Sequence, residues 1–173
     1  MPVIRPARLA DLPQVADIWV RSWQAAYAGI VPAAHLSALD PRERHGRLVE
    51  RFTSDPRYEM LVADSAATLL GFVVGGPWRG EDAAPEIGEL AAIYLAPEHR
   101  GRGVGRLLLD AAERRLAERG FAEVRLWVLE DNTSAQRFYR GAGWAPDGLR
   151  QTYDVGGAAL PELRYAHRLV PHG

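Results

Sequence analysis

The chain has no cysteine, which removes disulfides, thiolate metal sites and a cysteine nucleophile together. It leaves the compartment open. Long apolar runs are missing too, with no stretch near the roughly twenty residues of a bilayer-spanning helix. The opening MPVIRPARLADL also lacks the apolar centre of a secretion signal. Surplus charge of either sign is absent: a net charge of −1 offers no basic field for nucleic acid and no cationic face for an anionic membrane. Internal repeats, low-complexity tracts and linker-like composition shifts are likewise missing. What remains is an ordinary composition, 47% hydrophobic and 25% charged, over 173 residues. The expectation is one domain, 1–173, with a real core, in a cytoplasmic protein.

The elements follow from periodicity and punctuation. Pro2 to Arg5 reads as a short strand. Asp11 can cap a helix whose apolar positions Val15, Ile18, Trp19, Trp23, Ala26 and Tyr27 recur at helical spacing until Gly29. Pro32 opens a short helical piece, and Asp40-Pro41 begins a helix to about Phe52. Its Arg42, Arg44, Arg47 and Arg51, with Glu43 and Glu50, read as a solvated face. Tyr58–Ala63 and Leu69–Val74 flank DSAAT as a hairpin. After the loop RGEDAAPE come a strand over Glu86–Leu95, a helix over Gly103–Arg119, a strand over Ala122–Leu129 and a helix over Thr133–Gly141. Two last strands, near Arg150–Val155 and Leu163–Leu169, flank VGGAALP. The order β-α-α-β-β-β-α-β-α-β-β predicts a mixed α/β domain with at least one crossover through a helix.

The densest signal is HRGRGVGR, His99 to Arg106, between a buried strand and an amphipathic helix. It is not a nucleotide-hydrolase phosphate loop, since Gly105 is followed by Arg106-Leu107 and not by Lys and a hydroxyl residue. A dinucleotide fingerprint fails as well, because the third glycine position falls on Arg106 or Leu108. A tight turn with solvated arginines stays open. So does an anion cradle, in which a helix start offers unpaired N–H groups, glycines remove the Cβ atoms that would hold a phosphate away, and arginines add charge.

The spacing Arg100-x-x-Gly103-x-Gly105 resembles the pyrophosphate loop of the GCN5-related N-acetyltransferases (GNAT). The likeness runs from Glu86 to Trp144, ends in LEDNTSAQRFYRGAGW, and includes the opening IRPARLADLPQVADIW. It is loosest over residues 30–85 and beyond 145. The resemblance implies the acyl-CoA N-acyltransferase (GNAT-like) fold: a mixed, mostly antiparallel central sheet with flanking helices. Acetyl-CoA is then the implied donor, held in a V-shaped gap between the Glu86–Leu95 and Ala122–Leu129 strands. Backbone groups of Ile93, Tyr94 and Leu95 would bind the pantetheine arm like an added half-strand. The amides of Arg100, Gly101, Arg102, Gly103, Val104, Gly105 and Arg106 would cup the pyrophosphate. Asn132, which also reads as an ordinary helix cap, takes the position of a cofactor-contacting asparagine.

For the chemistry, the resemblance puts Tyr139, two turns beyond Asn132, in the place of the acid that protonates the departing thiolate. It also reads as a core aromatic beside Phe138. Tyrosine and thiol pKa values of about 10 and 8.5 make that transfer nearly balanced. Glu89 takes the place of the base that deprotonates the amine. It precedes Ile93 by four residues, and an even offset puts both side chains on one face of a regular strand. An edge glutamate exposed to solvent is the other reading. Trp23 and Tyr27 end an aromatic stripe begun by Trp19, a residue read as core. They would wall an amine pocket by cation–π contact. His35, His45, His167 and His172 lack ligand spacing, so no metal is expected. The sequence thus points to direct transfer from acetyl-CoA to a small-molecule amine. A peptide N-terminus is one alternative and a non-catalytic CoA-binding module is another. The oligomeric state is not readable from the sequence, although a homodimer is common in the family it resembles.

Overall fold

The computed structural model describes residues 1–170. Strand β1 (Val3–Pro6) is followed by three helices: α1 (Leu12–Ala26), a five-residue α2 (Ala33–Ser37) and α3 (Pro41–Ser54). Then come β2 (Glu59–Asp64), β3 (Leu69–Pro77), β4 (Ile87–Leu95), α4 (Val104–Glu118), β5 (Glu123–Leu129), α5 (Thr133–Gly141), β6 (Ala145–Val155) and β7 (Ala158–Arg168). The seven strands form one sheet in the order β1-β2-β3-β4-β5-β7-β6. Every neighbouring pair is antiparallel except β4 and β5, which the α4 crossover makes parallel. The mostly antiparallel sheet with flanking helices is thus present.

Local signals explain the helix starts. Asp40 accepts a hydrogen bond from the Arg42 amide at 2.8 Å, and Pro41 supplies a first helical position that needs no amide partner. On α1 the residues Leu12, Val15, Ala16 and Ile18 are buried on one face, where they pack with Met60, Val62 and Phe72 from one side of the sheet and Leu48 from α3. The opposite side of the sheet buries Leu90, Val124, Leu126 and Tyr165 against Leu108, Leu109 and Leu116 of α4.

The last hairpin differs from expectation. Its strands begin at Ala145 and Ala158, not near Arg150 and Leu163. The turn is only Gly156-Gly157, at φ of +58° and +81°, a pair of left-handed residues that closes a two-residue hairpin. Strand β6 hides little from the sequence because it buries little: every residue but Val155 is exposed, so no alternation marks its first half. At the tip, Val155 packs with Val31 and Leu36.

Candidate active site

Parallel pairing between β4 and β5 lasts for Ile87–Glu123, Gly88–Val124 and Glu89–Arg125, and then stops. Beyond Glu89 the strands splay, and a cavity of about 1080 Å³ opens between them. Residues Ile93, Tyr94 and Leu95 pair with Val73, Phe72 and Gly71 on one side, and the edge turned toward β5 has no strand partner there. That is the free backbone edge expected for an added half-strand.

The loop before α4 meets this cavity at Arg100, Gly101 and Gly105. Gly101 and Gly103 hold φ of +70° and +82°, and a Cβ on either would meet nothing within 4 Å. Their glycine identity therefore answers to backbone conformation and not to crowding within the chain. Among the described residues, the amides from Gly101 to Arg106 find no acceptor, while Leu107 already donates to Gly103. These groups converge at a helix start, which fits an anionic pyrophosphate. The arginines behave less uniformly than expected. Arg100 turns back to α1 and donates to the carbonyl and Oγ of Ser22 at 3.1 and 2.9 Å. Arg106 is paired with Asp110 at 2.6 Å. Only Arg102 is exposed and without a partner among the described residues. Val104 sends its side chain into the core.

On the opposite wall, Asn132 caps α5 by accepting from the Ala135 amide at 3.2 Å. Both Asn132 and Tyr139 line the cavity. The Tyr139 ring packs against Phe138, Trp144 and Tyr165 at 5.3, 5.8 and 6.3 Å between centroids. Its hydroxyl has no partner among the described residues. Burial pushes the Tyr139 phenol above its ordinary range. The group therefore stays protonated through neutral pH, and the transfer to a thiolate is less balanced than free pKa values suggest.

Glu89 is where the strand argument fails. The register passes from Val74–Ala92 to Gly75–Leu90, so exposed Ala91 is an extra residue in β4, a bulge. Parity inverts across it. Leu90, Ile93 and Leu95 face α4, while Ala92 and Tyr94 face α1 and α3. Glu89 shares the second face, opposite to Ile93. There its two oxygens receive Arg79 Nε and Nη2 at 2.9 and 3.0 Å. Tyr58 Oη sits 2.9 Å from Oε2 and 2.6 Å from the Pro77 carbonyl, so its single proton serves one acceptor at a time. A carboxylate offers about four acceptor positions, and at most three are engaged. Glu89 lines the cavity with the remainder.

The aromatic stripe of α1 also faces the cavity. Trp19, Trp23 and Tyr27 pack in succession with ring centroids 4.6 and 4.7 Å apart, the first pair tilted and the second edge-to-face, and the Tyr27 and Tyr94 hydroxyls lie 3.5 Å apart. Burial pushes both phenols up. The solvated-face reading of α3 needs one correction. The guanidinium of Arg44 lies 3.9 Å from the Trp19 ring centroid and lines the same cavity. Its Nε is fully buried without a hydrogen-bond partner. In the sequence it looks like its neighbours Arg42 and Arg47, and only its offset from the apolar residue Leu48, one helical turn on, hints otherwise. Glu162 of β7 enters from the far side, its carboxyl raised by burial and held at 2.7 Å by Gln151 Nε2. Among the described residues no group of His, Asp and Glu is arranged to hold a metal ion, and no helix is long and apolar enough to cross a membrane.

Comparison with known proteins agrees with this geometry. The profile of the acetyltransferase (GNAT) family matches residues 13–144. An uncharacterized N-acetyltransferase of Bacillus subtilis, YuaI, is 32% identical over 165 residues, 94% of this chain and 91% of that protein. A mycothiol acetyltransferase of Nocardia farcinica is 37% identical over 106 residues, 60% of this chain but 34% of its own length. Among solved structures, the PaiA N-acetyltransferase of Thermoplasma acidophilum in complex with coenzyme A superposes with a TM-score of 0.72 at 22% identity, covering 97% of this chain and 99% of that one.

Proposed function

The chain belongs to the acetyltransferase (GNAT) family, and from that premise we propose that it transfers an acetyl group from acetyl-CoA to a primary amine of a small molecule. The observation that carries this reading is one continuous cavity with two kinds of wall. At one end are the unpartnered amides before α4 and the open edge of β4, which would hold the CoA pyrophosphate and pantetheine. At the other are the aromatic face of α1 and the inner face of α3, which would take the acceptor. Acetyl-CoA supplies an activated acetyl thioester at their junction.

The chain's own residues have three tasks. They hold the amine against the thioester, they remove its protons, and they return one to sulfur. As the C–N bond forms and the C–S bond breaks, an ammonium acceptor gives up two protons. One passes to Glu89, directly or through water, and on to solvent. Tyr139 Oη donates a proton to the departing sulfur, and the second proton from nitrogen restores it. A small acceptor is favoured by the cavity's being walled, beyond the edge of β4, by α1, α3 and the hairpin residues Gln151, Tyr153 and Glu162. The mycothiol acetyltransferase likeness points the same way.

The test is thiol release from acetyl-CoA against a panel of small amines and of short peptides with free N-termini. Turnover confined to small amines supports the reading. Turnover of peptides alone moves it to a protein N-terminus, and CoA binding without turnover of either class refutes catalysis. Self-acetylation of side chains is a clean control, because no lysine is present and the 21 residues counted as Lys or Arg are all arginine.

A further inference from the structure

We propose that the acceptor carries a carboxylate beside its amine, and that Arg44 binds that carboxylate. This rests on the reading of the α1–α3 side of the cavity as the acceptor site and names the class of molecule it takes.

Arg44 is charged, half-buried and unsatisfied. Among the described residues its side chain forms no salt bridge and donates no hydrogen bond, although a guanidinium carries five donors. Of the other arginines that line the cavity, Arg79 is held by Glu89 and Arg100 by Ser22, while Arg51 is exposed to solvent and so bears no such desolvation. Desolvation without a counter-ion draws the Arg44 guanidinium down to about 10, still charged at neutral pH. An uncompensated cation in such a place is costly unless something completes it. Its guanidinium lies over the Trp19 face, its Nε is closed off from solvent, and its two terminal nitrogens have no hydrogen-bond partner among the described residues. A planar fork with free edges matches a carboxylate bidentately.

A second orphaned donor borders the same space. Trp23 Nε1 is buried and lies near the Tyr94 hydroxyl without the geometry of a hydrogen bond. Tyr153 also lines the cavity and lies within electrostatic reach of Glu162 on one side and Arg44 on the other. The acidic side chains that line the cavity are Glu89, Glu162 and Asp55, the last already paired with Arg57. A molecule with a cationic amine toward the carboxylates and an anionic end toward Arg44 complements this distribution. A polyamine, cationic at both ends, does not.

The experiment uses matched probes, on the CoA-saturated protein for binding and with acetyl-CoA as donor for transfer: the L-amino acids, their amides, and the corresponding decarboxylated amines. Binding is read by calorimetry and transfer by thiol release. The expectation is that some amino acid binds and is acetylated about 100-fold better in kcat/KM than its amide, a ratio in the range of one hydrogen-bonded charge. Arg44→Gln should erase that preference, Arg44→Lys should restore part of it, and CoA affinity should stay within a few-fold in both. Removing a cation with no internal partner should also leave the melting temperature within a few degrees, which separates lost recognition from lost folding. Amines turned over with no preference for a carboxylate, or with a preference that Arg44→Gln leaves intact, overturn the anion site while the transferase reading stands. Carboxylate probes bound through Arg44 with no amine acetylated support the anion site and refute the transferase. A parallel loss of CoA affinity in Arg44→Gln assigns the residue to the donor and overturns the proposal, as does a panel that neither binds nor reacts.

Discussion

Replacing Tyr139 by Phe separates chemistry from packing more cleanly than any other single change. The ring sits among Phe138, Trp144 and Tyr165 at 8% exposure, and Phe keeps all of that contact. The lost hydroxyl has no partner among the described residues, so no neighbour is orphaned. The stability change should stay within about 1 kcal/mol, as for a near-isosteric swap. For a chain of this size that is a melting shift of roughly 2–4 °C. If Oη is the donor to sulfur, turnover should fall about 100-fold, equivalent to about 2.7 kcal/mol of barrier. Alkaline pH adds an independent reading. The Tyr139 phenol is raised by burial, so the folded chain keeps a proton that the unfolded chain sheds near pH 10. That contribution is complete below about pH 10 and is lost as pH climbs from there toward the folded value. The wild type should therefore lose stability above pH 10 more steeply than Tyr139→Phe. Initial rates and melting curves on one preparation decide the matter. Wild-type turnover in Tyr139→Phe would refute the acid, and an unchanged alkaline slope would refute its burial.

Gly103→Val should fold, since nothing crowds the new Cβ, but a β-branched residue at φ +82° strains the helix start by about 1–3 kcal/mol. Calorimetry should find CoA affinity down by tenfold or more, and unchanged affinity in the folded variant would exclude the cradle. Glu89→Gln should slow turnover about 100-fold at neutral pH, with the deficit shrinking as pH approaches the acceptor amine's own pKa; a deficit independent of pH would point to positioning through Arg79. Ser22→Ala removes one of two contacts that tie Arg100 to α1. It should cost about 1–2 kcal/mol, read as a lowered denaturation midpoint, and no loss would mean that Arg100 reorients freely.

What the sequence reveals is what repeats or punctuates. The apolar spacing of Val15, Ile18 and Trp19 places α1, and Asp40-Pro41 places the start of α3. The glycine spacing places the loop before α4, and the family likeness adds the cavity beside it. What it conceals depends on single extra residues and on partners far along the chain. Ala91 looks like any strand alanine, yet as a bulge it inverts the face on which Glu89 stands. Arg100 and Ser22 meet across 78 positions, so the side chain of an arginine in the glycine loop also ties that loop to α1. Arg44 sits in a run of charged residues, and only the packing of α3 over Trp19 distinguishes it from its solvated neighbours. The exposed strand β6 offered no alternation, because the sheet demands none at its edge.

The three-pair contact between β4 and β5 makes the sheet two panels, β1–β4 and β5–β7–β6, joined lightly at one end and spanned by α4. A molecule lodged in the split would bridge the panels as a structural member. Because it would bind the folded chain alone, mass action at a hundred times its dissociation constant adds about 2.7 kcal/mol to folding. Local opening, and with it amide exchange along Leu90–Leu95, would slow in step. Without such a bridge the two panels would be joined at that one end alone, and local opening along the split would be correspondingly more frequent.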